Sequence, residues 1–230
     1  MLSLSIGAGG APMKTELTQQ ARRFDWVLKG LPRGPRNPFD VDLFSYDEVA
    51  VTPTVGALTA GWLLLVPRIT ACCMADLGIP LRQRVILIAG EVRDAMKVFP
   101  GRTVLFEHGA RRVGSATGCG VDQAHLHLVN MENDLMKSVV SGDPDFHWAP
   151  VSASDPWKEI DRDLEYYLIS DFRTAFVSYS VTGKSQYFRK AVARELSRPT
   201  EWDYRLFTNE QNARTTTTLL DAGNRRRSAA

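Results

Sequence analysis

Apolar positions recur along this chain with two periods, and each period predicts a different element. Leu81, Val85, Ile88, Val92, Met96 and Phe99 return every three or four residues, while Arg82, Arg93, Asp94 and Lys97 fall off that stripe. Such spacing predicts an amphipathic helix over 81–99 with one buried face. Pro80 opens it and Pro100 closes it, because a proline ring supplies no N–H to a helix interior. Gln123 to Asn130 alternate strictly instead, which predicts a strand whose successive side chains point to opposite faces. Gln123, His125 and His127 then share one face, and Ala124, Leu126 and Leu128 the other. The two imidazoles would stand about 7 Å apart along that strand.

Other elements follow from weaker signals. Glu48–Val51 and Trp62–Val66 read as strands joined by a turn containing Pro53, Gly56 and Gly61. Thr103–Phe106 is a further strand, followed by a loop of small and basic residues from Gly109 to Gly120. Gln19–Lys29 suggests a short helix ahead of the Gly-, Pro- and Arg-rich loop at 30–38. Beyond residue 150 the composition shifts. Pro144, Pro150 and Pro156 punctuate a loop, Ala175–Val181 reads as a strand and Ser185–Leu196 as a second helix. From Thr216 on, the Thr-rich and then basic sequence suggests disorder. The expected organisation is an N-terminal segment (1–35), a catalytic domain (36–150), an extension packed on it (151–215) and a disordered tail (216–230). The fold class is α+β, an antiparallel sheet with one long packed helix and a C-terminal helical and strand extension.

Bulk properties exclude some functions. Among 230 residues, 44% are hydrophobic and 23% charged, as in an ordinary soluble globular protein. With 28 Lys plus Arg against 26 Asp plus Glu, the net charge of +2 leaves no basic footprint for nucleic acid. Arg225, Arg226 and Arg227 read as a solvated tail. Cys72, Cys73 and Cys119 form no CxxC pair, which argues against a disulfide framework or a Cys-based zinc site and for a cytoplasmic location. The longest apolar stretch, 62–67, is too short to cross a bilayer. The N-terminus has no basic region before its weakly apolar start, so it is not read as a signal peptide.

The informative segment is Gly118-Cys119-Gly120-Val121-Asp122-Gln123-Ala124-His125-Leu126-His127-Leu128-Val129. Imidazole titrates near neutrality and serves as nucleophile, proton carrier or metal ligand. The glycines let backbone N–H groups come close to an anion. Two imidazoles beside such a loop suggest a phosphate site. His108, in Glu107-His108-Gly109, faces either the same pocket or a surface loop. A metal site of His125, His127 and Glu107 lacks the usual ligand spacing.

The segment resembles the motif of the histidine-triad family, His-x-His-x-His-x-x with apolar x after a Gly-containing loop. Thr59-Ala60-Gly61-Trp62-Leu63-Leu64-Leu65-Val66-Pro67-Arg68 is similar to the family's upstream Gly-His-x-Leu-x-x-Pro-Lys/Arg strand. The order of elements agrees over residues 38–131. The resemblance implies a nucleotidyl hydrolase or nucleotidyltransferase that cleaves a nucleotide or nucleoside polyphosphate at its α-phosphate through a covalent nucleotidyl-histidine. On this alignment His125 is the nucleophile, His127 stands near the scissile phosphate, and Gly118, Cys119 and Gly120 hold the phosphate. Thr52, Trp62 and His108 are further candidate nucleotide-binding residues. No cofactor and no metal are implied, and a homodimer across the helix and an edge strand is compatible with the family.

Two positions depart from the motif. Gln123 replaces the first histidine of the triad. It can orient His125 by hydrogen bonding but cannot carry a proton. Trp62 replaces the histidine of the upstream strand and either stacks on a base or fills the core. These departures support the alternative of a nucleotide-binding protein with little catalysis. Gly183-Lys184-Ser185 is no phosphate-binding P-loop, since Ser178 occupies the position where that motif needs glycine. Arg189 and Lys190 read as a solvated helix face, with a phosphate contact as the alternative. His147 reads as a packing residue, and Trp202 and Tyr204 as anchors of the extension.

Overall fold

The computed structural model describes residues 23–179 and 183–228, and side chains only as far as residue 222. The chain is α+β. Strands β1 (Val49–Pro53), β2 (Trp62–Pro67), β3 (Arg102–Gly109), β4 (Leu126–Met131), β5 (Ala149–Val151), β6 (Tyr166–Ser170) and β7 (Ala175–Tyr179) form one sheet in the order β1-β2-β4-β3-β6-β7-β5. Every pairing is antiparallel. Helices α1 (Asp25–Leu28), α2 (Ile79–Ala95), α3 (Leu135–Gly142), α4 (Tyr187–Glu195) and α5 (Glu210–Ser228) pack around it.

The period-two alternation of the strands sorts the core into two layers. Leu63, Leu65, Leu105, Leu126, Leu128 and Leu168 point to the face covered by α2, where they meet its Val85, Ile88 and Val92. Trp62, Phe106, Val129, Tyr167 and Ile169 point to the other face and pack beneath α4, against Phe188, Ala191 and Val192. Helix α2 follows its apolar stripe with Pro80 in its first turn, and a 3-10 turn at Met96–Val98 carries it into Phe99. Arg82, off the stripe, is nevertheless buried, because its guanidinium pairs with Asp155 at 3.1 Å.

The structure differs from the sequence reading at several points, among them helix α3 (Leu135–Gly142), which it did not give, and strand β5 (Ala149–Val151), which lies inside the expected Pro-punctuated loop. Strand β4 begins at Leu126, so Gln123 and His125 precede it rather than alternate within it. Strand β6 escaped the sequence pattern because Tyr166–Ser170 is buried on both faces and shows no alternation. The stretch from Thr216, expected to be disordered, is helical. Ala213, Thr216 and Leu220 are buried, and the Thr216 hydroxyl donates to Asn212 O while accepting the Gly61 N–H at 2.9 Å. Tertiary docking here overrides threonine's weak helix propensity. His147 is exposed and does not pack; its neighbour Phe146 fills the core. Of the helix expected over 19–29, Asp25–Leu28 is observed, and residues 19–22 lie outside the described ones, as do 180–182 of the strand expected over 175–181.

Candidate functional site

Strand register assembles the site. His127 on β4 stands opposite Leu64 on β2 and Phe106 on β3, and its ring stacks on Phe106 at 4.6 Å between centroids. Alternation along β3 puts His108 on the same face as Phe106, with its ring centroid 6.2 Å from that of His127. His125 precedes β4 and reaches the same place, 5.0 Å from His127 between centroids. All three imidazoles line a cavity of about 40 Å³. Arg23, Phe24, Cys119, Arg189 and Tyr204 close it from the N-terminal segment, the glycine loop, α4 and the segment before α5.

Hydrogen bonds fix each ring's tautomer. The Nδ1 of His125 lies 2.8 Å from the Gln123 carbonyl, which can only accept, so Nδ1 carries the proton and Nε2 keeps its lone pair. For His127 the order reverses: the Trp62 indole donates to its Nδ1 at 3.0 Å, so the proton is on Nε2. The Phe188 N–H donates to Nε2 of His108 at 3.3 Å, placing that ring's proton on Nδ1. Burial disfavours the imidazolium form in each case. It lowers His125 to about 4 and His108 to about 3, and it holds His127 well below the ordinary histidine range, with the neighbouring imidazoles and arginines acting in the same sense. At neutral pH the site holds three neutral rings.

Its positive charge comes from two arginines. The Arg189 guanidinium donates to the carbonyls of Trp202 (3.0 Å), Val55 (3.3 Å) and Gly56, and lies over the Trp62 ring at 4.8 Å. Gly56, with φ of +68°, allows this approach: a Cβ there would stand 2.7 Å from Arg189 Nη2. Arg23 is buried, with Nε and Nη2 lacking hydrogen bonds, and Asp40 faces it at 3.8 Å.

Of the residues singled out in the sequence, His108, Cys119, His125 and His127 line the cavity; Gly118, Gly120, Gln123, Thr52 and Trp62 do not. Gln123 corrects the expectation that it orients His125 through its side chain. Its amide donates to the carbonyls of Pro67 (3.2 Å) and Ile69 (2.8 Å), and only its backbone oxygen touches the imidazole. The Thr52 hydroxyl is bound internally to Phe39 O. Trp62 is wholly buried in the core, and its N–H reaches His127. The Cys119 N–H is committed to Ala116 O at 3.2 Å, so that amide is not offered to an anion. Instead the Cys119 thiol faces the cavity and accepts the Gln186 N–H at 3.0 Å.

The opposite face of β3 accounts for Glu107. Its carboxylate accepts from Met74 N, Trp157 Nε1 and Tyr166 OH, each at 2.7 Å, in the layer beneath α2. His125, His127 and Glu107 therefore do not converge on a metal. Lys190 lies over the Trp202 ring at 4.5 Å, outside the cavity lining, whereas Arg189 is part of it. The sequence gives no sign that Arg23, Phe24 and Tyr204 line the cavity, although Tyr204 reads as an anchor of the extension. Nothing local in the sequence marks them, since chain segments far apart bring them to the site. Tyr204 anchors the extension there by donating to Cys119 O at 3.2 Å.

No family model and no curated protein matches this chain. Two solved structures of yeast Ap4A phosphorylase Apa2 are similar to it at 12% identity and a TM-score of 0.36. In one, the match covers 60% of this chain and 57% of the phosphorylase chain. In the other, a complex with Ap4A, it covers 76% and 78%.

No helix among the described residues is long and apolar enough to cross a membrane.

Proposed function

We propose that this chain is a nucleotidyl hydrolase or transferase of histidine-triad type, in which Nε2 of His125 attacks the α-phosphorus of a nucleotide. The observation that carries this reading is the 2.8 Å hydrogen bond from His125 Nδ1 to the Gln123 carbonyl. It leaves a neutral imidazole with its lone pair on Nε2, at a residue lining a cavity with two guanidinium groups. Such a ring attacks without prior deprotonation. The Nε2–P bond forms as the bond from phosphorus to the leaving oxygen breaks, and the departing group takes the electron pair. The Nε2–H of His127 donates to an oxygen of the phosphate or leaving group. Water or another acceptor then attacks phosphorus, its proton passing to the departed group or to solvent; the Nε2–P bond breaks, and its electron pair returns to Nε2 as neutral His125 is released. Arg23 and Arg189 supply the charge that offsets the phosphate in a site largely shielded from water.

A cavity of about 40 Å³ has room for a phosphate group and not for a nucleoside. Arg23 also lines an outer groove of about 390 Å³ that carries Asp25, Lys29 and Arg33; this reading assigns the nucleoside to that groove. A second reading, nucleotide binding with little turnover, is favoured by the Gln123 amide, which is turned away from His125. Turnover of a nucleotide panel by wild type and by His125→Ala separates the two. The first reading requires turnover by wild type that is lost in His125→Ala with binding retained, the second requires binding without turnover by wild type, and equal activity in both proteins removes His125 from the chemistry.

A further inference from the structure

The chain from Ala110 to His125 belongs to no strand or helix, yet it supplies Cys119 and Val121 to the wall of the imidazole cavity. Cys119 holds φ of +57°, in the left-handed region that side chains rarely adopt. Such a conformation persists only where its surroundings fix it. Two ties come from the extension, the Tyr204 hydroxyl to Cys119 O and the Gln186 N–H to Cys119 Sγ. The third is a carboxylate outside the cavity lining. Glu165 Oε1 accepts the Ser115 hydroxyl at 2.5 Å, and its Oε2 accepts the Thr117 hydroxyl. Ser115 Oγ in turn accepts the Thr117 N–H at 3.1 Å, and both hydroxyl residues are buried. Gly183, with φ of +55°, leaves room for this knot: a Cβ there would stand 2.9 Å from Thr117 Oγ1 and 3.2 Å from Glu165 Oε2. Glu165 directly precedes β6, whose Tyr166 pairs with Gly109 at the end of β3. The loop is thus tied back to the sheet from which it leaves.

We propose that Glu165 is a positioning residue of the candidate site. Through Ser115 and Thr117 it holds the loop in the arrangement in which Cys119 walls the cavity and shields His125. A carboxylate suits this task because it accepts from two hydroxyls at once, and hydrogen bonds to a charged acceptor are the stronger kind. Glu165 does not line the cavity, so it acts through the loop. Its consequence for turnover rests on the reading of His125 as nucleophile, whereas closure of the loop is measurable without substrate.

Timed alkylation of the full chain with iodoacetamide and carbethoxylation with diethyl pyrocarbonate, each read by peptide mapping, test it. Glu165→Ala should raise the rates at Cys119 and His125 about tenfold or more over wild type, as local opening of a loop does. Cys73, buried in the layer under α2 with its thiol pushed up to about 12, should change less than about twofold, which separates release of the loop from general unfolding. Glu165→Gln keeps an acceptor for one hydroxyl and a donor for the other, so its rates should lie between the two. Thr117→Val in the Glu165→Ala background should add less than about twofold, because the two ends of one interaction do not add. With a nucleotide panel, Glu165→Ala should lower kcat about tenfold and leave KM within about twofold, since the outer groove assigned to the nucleoside contains no residue of this loop. The proposal is overturned if Cys119 and His125 react no faster in Glu165→Ala than in wild type, if Cys73 rises in parallel with them, or if kcat is unchanged. Absence of turnover from wild type sinks the nucleotidyl reading alone, and the modification rates then judge Glu165.

Discussion

The indole N–H of Trp62 donates to Nδ1 of His127 at 3.0 Å, tying a core residue of β2 to an imidazole of the candidate site on β4. The bond fixes where His127 keeps its proton. Phenylalanine at 62 preserves most of the packing and leaves Nδ1 without its donor. Trp62→Phe should lose about 1–3 kcal/mol of stability by chemical denaturation, the usual cost of orphaning a buried polar atom. It should lower kcat about tenfold, equivalent to about 1.4 kcal/mol in the barrier, because the Nε2–H tautomer is no longer enforced. An unchanged kcat would separate this bond from the chemistry.

Acid should unfold the protein more readily than a chain with exposed histidines. A depressed imidazole pKa means that the unfolded state binds more protons below about 6.5, so stability falls as pH drops from there. His108, at about 3 when folded, costs about 2 kcal/mol at pH 5 relative to neutrality. His125 and His127 act in the same direction. Glu107, raised to about 7 by burial, and Asp40, also raised, act in the opposite one. Three imidazoles outweigh two carboxyls, so denaturation midpoints should fall between pH 7 and pH 5. A flat profile would contradict the burial of the three rings.

Glu107→Gln tests the separation of the two sheet faces. The carboxylate accepts from a backbone N–H, an indole and a phenol, and a glutamine amide cannot accept at both ends. The variant should lose about 3 kcal/mol of stability. Because Glu107 points away from the imidazoles, kcat per folded molecule should stay within about twofold of wild type, well under the 1.4 kcal/mol that makes a tenfold change. A large loss of kcat with chelator-sensitive activity would restore the metal alternative.

Restoring the histidine motif at position 123 should bring no gain. The Gln123 side chain is tethered to Pro67 O and Ile69 O, and an imidazole there can meet at most one of those carbonyls. Gln123→His should lose about 1–2 kcal/mol of stability. Its kcat should not rise, since only the backbone oxygen of residue 123 meets His125. A severalfold rise would show that the side chain can turn towards the imidazoles.

Helix α2 was legible because its face is a clean 3.6-residue stripe over a single apolar layer. The imidazole pair was legible because histidine is rare in this sequence and Gly118, Cys119 and Gly120 precede it. The alternation that located the pair was extended too far, to Gln123, since a repeating pattern does not show where a strand begins. Strand β6 left no period because both its faces are buried. Helix α5 was hidden by its threonines, whose helical state depends on docking at Gly61, far away in sequence. Arg189 read as solvated because cations usually are; its burial depends on three carbonyls from two other segments. Arg23 carried no local signal at all.

The central claim is that His125 Nε2 becomes bonded to phosphorus. Rapid acid-free quenching of a single turnover with α-phosphate-labelled nucleotide, followed by peptide mapping at alkaline pH, measures it directly. The expected result is label on the peptide containing His125, lost on brief acid treatment as a phosphoramidate is, and absent from His125→Ala. Substrate consumed by wild type at full rate with no label on His125, or with label persisting in His125→Ala, would contradict it.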